Sequence, residues 1–355
     1  MAAVSLAALL LFAEAPVPPG KVRTDREISL EVTLDASPSE VFRLWTTTEG
    51  VTKFLAPAAH VEPRVGGRYQ IVFDPVGDPE GAFHGTKAGK VLRVVPDEEI
   101  AFEWPMPPFG PELGGPPVVT WVELEFLPAP DGSGRTRLVF HQYGFRKGGK
   151  WDEAFPMFRD RNWPLVLNRL VVYCRDKVSP AWRATKDEPG DALDRILVKD
   201  VTVPASRAEV WKAWTTVAGV QSFFAPGARI EAVAGGPYEI YFDPEGPEGS
   251  RGADGCKVLA VDPMRSFAFD WSAPPQMTEV RKKKTNVLVQ LVEKGPKETE
   301  VRLVSLGWGS GDEWVKSHEY FDKAWTFVLG NLKKRFAEGP IDWKALQVST
   351  RPAGR

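Results

Sequence analysis

Cysteine is almost absent. The 355 residues hold two, Cys174 and Cys256, at non-equivalent points of the chain. Two such thiols make neither a disulfide framework nor a metal site. Histidine is scarce too, and His60, His84, His141 and His318 lack zinc-ligand spacing. Excess charge is missing: a net charge of −2 gives no reason to expect a nucleic-acid or anionic-membrane partner. The apolar run over residues 2–13 is too short to span a bilayer. Paired carboxylates, a Ser/His/Asp order, a phosphate-binding glycine loop and a metal cluster cannot be placed. No cofactor is expected.

Aromatic residues are plentiful, with 13 Trp and 20 Phe. Large aromatics fill cores and also line apolar pockets. The other conspicuous feature is a stretch written twice. Residues 32–75 and 201–244 align without a gap, and roughly half their positions are identical. At about 100–200 residues per domain the length suits two domains, so this is a domain duplication.

Residues 1–20 combine the apolar run with Ala13-Glu14-Ala15, a small-x-small cleavage pattern. They are expected to be a signal peptide, which places the mature chain in the periplasm or outside the cell. No Lys or Arg precedes the run and Pro16 follows the cut, so a cytoplasmic tail is the competing reading. Domain 1 is expected over residues 24–180, a linker over 181–193, domain 2 over 194–340 and a tail over 341–355. The linker rests on the polar KDEPGDALD stretch.

Leu30, Val32 and Leu34 alternate with polar residues, which predicts a first strand. Ser37 and Glu40 form a capping box around Pro38, and Ser206 and Glu209 repeat it, so a helix starts at each. Gly50 and Gly219 are expected to end these helices. Gly66-Gly67 and Gly235-Gly236 predict a bulge or sharp bend before the next strand. Tyr69, Ile71 and Phe73 share one face of that strand, as do Tyr238, Ile240 and Phe242. Further alternating runs give antiparallel strands joined by short loops. Each copy closes with a helix whose apolar stripe runs through Trp163 or Trp325, and Pro156 and Pro164 should break the start of the first.

The order of these elements is the helix-grip pattern. EVWKAWTTVAGVQSFFAP, GGPYEIYF, KVLAVDP and FAFDW, then a helix centred on Trp325, resemble the START-like superfamily (SRPBCC). EVFRLWTTTEGVTKFLAP, GGRYQIVF, KVLRVVP and IAFEW, with the Trp163 helix, do the same in copy one. Within the superfamily both look like the branch homologous to activators of the heat-shock protein 90 ATPase. The fold implied is α+β: two tandem helix-grip domains, each a curved antiparallel sheet wrapped around a long C-terminal helix.

The resemblance also implies an apolar cavity between sheet and helix. Its expected lining is Tyr69, Phe73, Phe102, Trp104, Leu124, Phe140 and Trp163 in copy one. In copy two it is Tyr238, Phe242, Phe269, Trp271, Leu303 and Trp325. A filled core is the alternative for the same residues. Gln142, Ser305 and His318 are the candidate polar ligand contacts. Glu103 and Asp270 should face solvent, His141 should be a surface or interface histidine, and the outward Trp121 should mark a domain or oligomer contact. Arg281, Lys282, Lys283 and Lys284 read as a solvated hairpin. Cys174 should be a buried, inert thiol, and in an exported chain a Cys174–Cys256 bridge would have to cross domains. The expected function is non-catalytic binding of a small hydrophobic molecule, lipid or polyketide-like. The alternatives are a co-chaperone-like module with a protein partner and a polyketide cyclase or dehydratase-like enzyme.

Overall fold

The structure is a computed structural model that describes residues 23–106, 119–182 and 193–345. The expected signal peptide, most of the linker, most of the proline- and glycine-rich stretch 105–117, and the tail beyond residue 345 lie outside the described residues.

Domain 1 begins with β1 (Ile28–Leu34), α1 (Pro38–Thr46) and α2 (Thr48–Val51). β2 (Ala58–Val61), β3 (Tyr69–Val72), β4 (Val91–Val95), β5 (Glu99–Pro105), β6 (Val119–Pro128) and β7 (Thr136–Tyr143) follow. It closes with α3 (Trp151–Met157), a π-helical turn (Phe158–Asn162) and α4 (Trp163–Asp176). Domain 2 repeats the order: β8 (Leu197–Val203), α5 (Arg207–Thr215), α6 (Val217–Gln221), β9 (Gly227–Ile230) and β10 (Tyr238–Tyr241). Then come β11 (Val258–Asp262), β12 (Ser266–Trp271), a short α7 (Thr278–Arg281), β13 (Thr285–Gly295), β14 (Glu298–Leu306) and α8 (Asp312–Glu338).

The five-stranded sheets run β1-β7-β6-β5-β4 and β11-β12-β13-β14-β8, with every pairing antiparallel. The two-stranded sheets β2-β3 and β9-β10 continue them through the bridges Arg68–Lys90 and Pro237–Lys257. Bulges at Val91/Arg93 and Val258/Ala260 sit where each sheet turns toward its small partner. The result is a curved sheet holding a long helix, twice over.

Both capping boxes form as expected: Ser37 and Ser206 accept from the backbone N–H of Glu40 and Glu209, whose carboxylates reach back. Gly50 and Gly219 do not end helices. They lie inside α2 and α6, whose N-caps are Thr47 and Thr216. The reason for glycine is close approach. A Cβ on Gly50 would sit 2.5 Å from the Arg43 carbonyl oxygen, and one on Gly219 would sit 2.2 Å from that of Lys212. The paired glycines after them form the β2–β3 and β9–β10 turns, with Gly66 and Gly235 at positive φ.

The domain 2 sheet packs its outer face onto the core of domain 1, beside a separate core of its own. The outer face of the domain 2 sheet is apolar, and Leu259, Ala260, Leu288, Val304 and Leu306 pack into the domain 1 cluster. The equivalent outer positions of domain 1 include Arg93, Glu123 and His141. Helix α4 lies at the junction, and nine of its 14 residues are buried, against eight of 27 in α8. That difference marks α4 as packed on two sides. Asn168, fully buried on α4, donates to the Leu193 and Trp308 carbonyls at 2.7 and 3.2 Å. Its carbonyl accepts from the Gly307 and Trp308 N–H groups, both at 2.8 Å. One side chain thus satisfies four backbone groups, three of them at the β14–α8 junction. Arg302, 3% exposed, bridges Asp160 of domain 1 and Asp200 of domain 2 at 2.7 and 3.2 Å.

The basic run is not a solvated hairpin. Arg281 donates to the carbonyls of Ala273, Gly249 and Gly252, Lys283 pairs with Asp176 of domain 1, and Lys284 pairs with Asp270. Asp270 is therefore tied down rather than free in solvent. Trp121 is 1% exposed. It donates to Glu123 and packs on Tyr143, and the Arg23 guanidinium covers the other ring of that pair. Segment 23–27 supplies the cover that the sequence reading sought in a partner. His141, expected at the surface or an interface, is half-buried and bonds Glu27 from the same segment at 2.6 Å. Both cysteines are free and buried, and burial pushes each thiol up to about 12.

Gly50→Ala should destabilise the fold by about 1–3 kcal/mol through overpacking, read as a lower urea midpoint with unchanged slope. Asn168→Leu should cost at least about 3 kcal/mol, because it strands several buried backbone groups. Calorimetry of that variant should show two separated transitions in place of one.

Candidate ligand cavities

Each domain holds a cavity between its sheet and its last helix. The first has a volume of about 720 Å³. Its floor is the pair Trp104 and Trp163, with ring centroids 4.8 Å apart in an edge-on arrangement. Leu55, Phe158 and Val166 complete the apolar wall, and Phe73, Phe83 and Met157 stand at the rim. The polar side chains in the lining are His84, Asn162 and Arg169. Arg169 is held by Asp194 and lies under Trp182, while the His84 ring sits 4.0 Å from both Asp74 and Asp78.

The wall on the helix side depends on proline. Pro164 has no N–H, so it cannot bond back to the carbonyl of residue 160. The chain widens into the π-helical turn, and the N–H of Trp163 bonds to the Phe158 carbonyl instead. Phe158, Asn162 and Trp163 reach the cavity from this widened turn. In domain 2 no proline intervenes, and α8 runs unbroken for 27 residues.

The second cavity has a volume of about 450 Å³. Phe224 stands where domain 1 has Leu55, and it stacks on Trp271 at 5.5 Å. Trp325 forms the helix side, 5.2 Å from Trp271. Tyr320, Phe327 and Trp343 are at the mouth. Trp343 is fixed by its indole N–H, which donates to the Gln221 carbonyl at 2.6 Å.

Of the residues expected in the lining, Phe73, Trp104, Trp163, Phe242, Trp271 and Trp325 reach a cavity. Phe73 and Phe242 do so from the rim rather than the interior, at 43% and 49% exposed, because each falls one residue past its strand. Tyr69 and Tyr238 do not line either cavity. Each is fully buried, stacks on Phe102 or Phe269, and donates its hydroxyl to the carbonyl of Trp45 or Trp214 at 3.0 Å. Those carbonyls lie in the last turns of α1 and α5, where no intrahelical donor remains. Burial holds both phenols well above their ordinary pKa.

Phe140 lies behind Trp163, 4.5 Å away, and belongs to the core together with Phe102, Leu124, Phe269 and Leu303. Gln142 is buried between two residues of its own domain, accepting from Trp163 Nε1 at 2.5 Å and donating to Thr120 at 2.9 Å. Ser305 is fully buried and outside the cavity lining. His318 hydrogen-bonds the Ile196 carbonyl at 3.1 Å and meets Trp308 edge-on, so it is a satisfied packing residue.

Phe83, His84, Met157, Asn162 and Phe224 line the cavities without having been expected there. The first two lie on a loop with no periodicity to place them. Leu55 against Phe224 was visible as a difference between the copies, and it marks the narrower cavity.

Curved sheet, gripped helix and apolar cavity define both halves as START-like helix-grip domains. The chain belongs to the family described as activator of Hsp90 ATPase homolog 1-like protein, which matches residues 35–175 and again 204–337. No curated protein matches it. Among solved structures it is similar to protein MLL2253 from Mesorhizobium loti, 23% identical over 41% of this chain and 93% of that one, with a TM-score of 0.34. The Aha1 dimer from Colwellia psychrerythraea is 19% identical over 41% of this chain and 98% of its own, with a TM-score of 0.32. The di-domain ARO/CYC BexL from the BE-7585A biosynthetic pathway is 13% identical over 88% and 99%, with a TM-score of 0.31.

Tyr69→Phe should cost about 1–3 kcal/mol by stranding the Trp45 carbonyl, read by thermal melting, and should leave ligand affinity unchanged.

Proposed function

We propose that domain 1 binds a small, largely apolar molecule between its sheet and α4, without transforming it. The observation that carries this reading is the cavity of about 720 Å³ floored by Trp104 and Trp163. Small-molecule pockets fall at roughly 300–1,000 Å³ and are mostly apolar with a few placed polar groups. His84 and Asn162 are such groups here. Among the described residues no carboxylate lines the cavity, and Arg169 is engaged by Asp194. An acid–base pair for a cyclase-like reaction is therefore not part of this proposal.

A protein partner is the second reading. The family description names activation of a chaperone ATPase. Phe73, Phe83 and Met157, at 43%, 66% and 38% exposed, form an apolar rim that a partner would cover. Export through residues 1–20 belongs to the first proposal, since it would separate the protein from a cytosolic chaperone.

Native mass spectrometry of the protein purified from its own host reads the N-terminus and any retained ligand together. A bound small molecule on a chain cut after Ala15 is the expected result. In vitro, Leu55→Phe installs the domain 2 residue and narrows the cavity. It should weaken binding of the neutral dye N-phenyl-1-naphthylamine about ten-fold with little change in melting temperature. Unchanged dye binding would rule out the domain 1 cavity as the site.

A further inference from the structure

The π-helical turn Phe158–Asn162 strands a backbone carbonyl. The Arg159 carbonyl could accept from the N–H of residue 163 in an α-helix, or from that of residue 164 in a π-helix. The Trp163 N–H goes to the Phe158 carbonyl instead, and residue 164 is proline, which has no N–H. At a domain junction, where water is largely excluded, such a carbonyl needs another donor.

The donor comes from the other domain. Arg302 Nη2, on β14, donates to the Arg159 carbonyl at 3.0 Å, and Arg302 Nη1 pairs with the Asp160 carboxylate at 2.7 Å. Asp160 is held from its own side by the Arg159 guanidinium, at 2.7 and 3.1 Å. Arg302 Nη1 also meets Asp200 at 3.2 Å, so two arginines and two aspartates alternate across the junction.

Arg302 is out of keeping with its neighbours. It lies on the outer face of the domain 2 sheet with Val304 and Leu306, where domain 1 has Val139. It is 3% exposed. Hydrocarbon would serve for packing there, and a buried arginine is no better for stability. What the arginine matches is the turn opposite, with one hydrogen bond and one charge. That turn carries Phe158, Asn162 and Trp163 into the first cavity. Asn168 fixes the middle of α4, and Arg302 fixes its start.

We propose that Arg302 is a positioning residue for the first cavity: domain 2 holds the widened turn in place, so the shape of the domain 1 site depends on the docking of its neighbour. The clamp decides how far the turn can give. Occupation of the first cavity and docking of the second domain are then linked, each favouring the other. That linkage rests on the binding reading of domain 1, whereas the clamp itself does not.

Hydrogen exchange of the full chain, followed by mass spectrometry, reads the opening of segment 158–166. Arg302→Met suits the apolar face and removes the clamp. It should speed exchange in that segment at least about ten-fold, the size of one hydrogen bond to a charged group, and leave α8 and the domain 2 strands protected. Asp160→Asn weakens the clamp from the domain 1 side and should speed the same segment, which decides the matter if the methionine variant does not fold. Pro164→Ala restores the missing N–H. In that background Arg302→Met should change exchange by less than about two-fold. The affinity for N-phenyl-1-naphthylamine should fall about five-fold in Arg302→Met. Unchanged exchange in segment 158–166 would overturn the clamp. So would acceleration spread equally through α8 and β14, which is general undocking, or an undiminished effect in Pro164→Ala. Unchanged dye affinity would overturn the link to the cavity. A wild-type chain that binds no dye counts against the domain 1 reading instead, and exchange still decides the clamp.

Discussion

Helix α4 has to satisfy two partners at once, and much of the architecture follows from that demand. Its inner face closes the cavity of its own domain. Its other side is pressed against the second domain, where Asn168 satisfies the N–H groups of Gly307 and Trp308 and the Trp308 carbonyl. A helix buried on one stripe can turn or slide to accommodate a ligand. One fixed on both sides cannot, so any adjustment in domain 1 falls to the rim and to the π-helical turn at its start. In α8 only eight of 27 residues are buried, and the constraint is weaker.

The same demand explains the sequence of the domain 2 sheet. Strands β13 and β14 carry apolar residues on both faces, with Val287, Leu288 and Val289 in succession. A sheet buried on both faces reads that way. Domain 1 keeps Glu123 and His141 at the matching outer positions, and segment 23–27 covers them with Arg23 and Glu27. Duplication supplied two copies of one fold. Packing one on the back of the other then required their outer faces to differ while their inner faces stayed alike.

The fold was legible because its signals are local. Capping boxes, alternating strands and the helix stripe need only a few neighbouring residues, and all formed where expected. The cavities were less legible because inward-facing residues divide into those that touch space and those that touch protein. Tyr69 and Trp104 looked equivalent by alternation, yet one bonds the end of a helix and the other floors the cavity. Phe83 and His84 come from a loop, where no period exists. Gly50 was read as a helix stop because glycine commonly ends helices, whereas here it allows two helix backbones to touch. The contrast between Gln142 and Ser305 was visible in the sequence. Its meaning required knowing that Trp163, and not a ligand, is the partner of the first.

The contact between the domains joins unlike surfaces: the side of one last helix and the back of the next sheet. Such a contact has no two-fold symmetry, and repeated from copy to copy it would generate an open series without a natural end. The first sheet blocks such a series on its own back. Arg93, Glu123 and His141, the last two held by Arg23 and Glu27, make the back of the first sheet polar where the back of the second is apolar. A further copy arriving there would have to bury charge instead of hydrocarbon. The residues that distinguish the two outer faces thus close the series on the side of the first sheet.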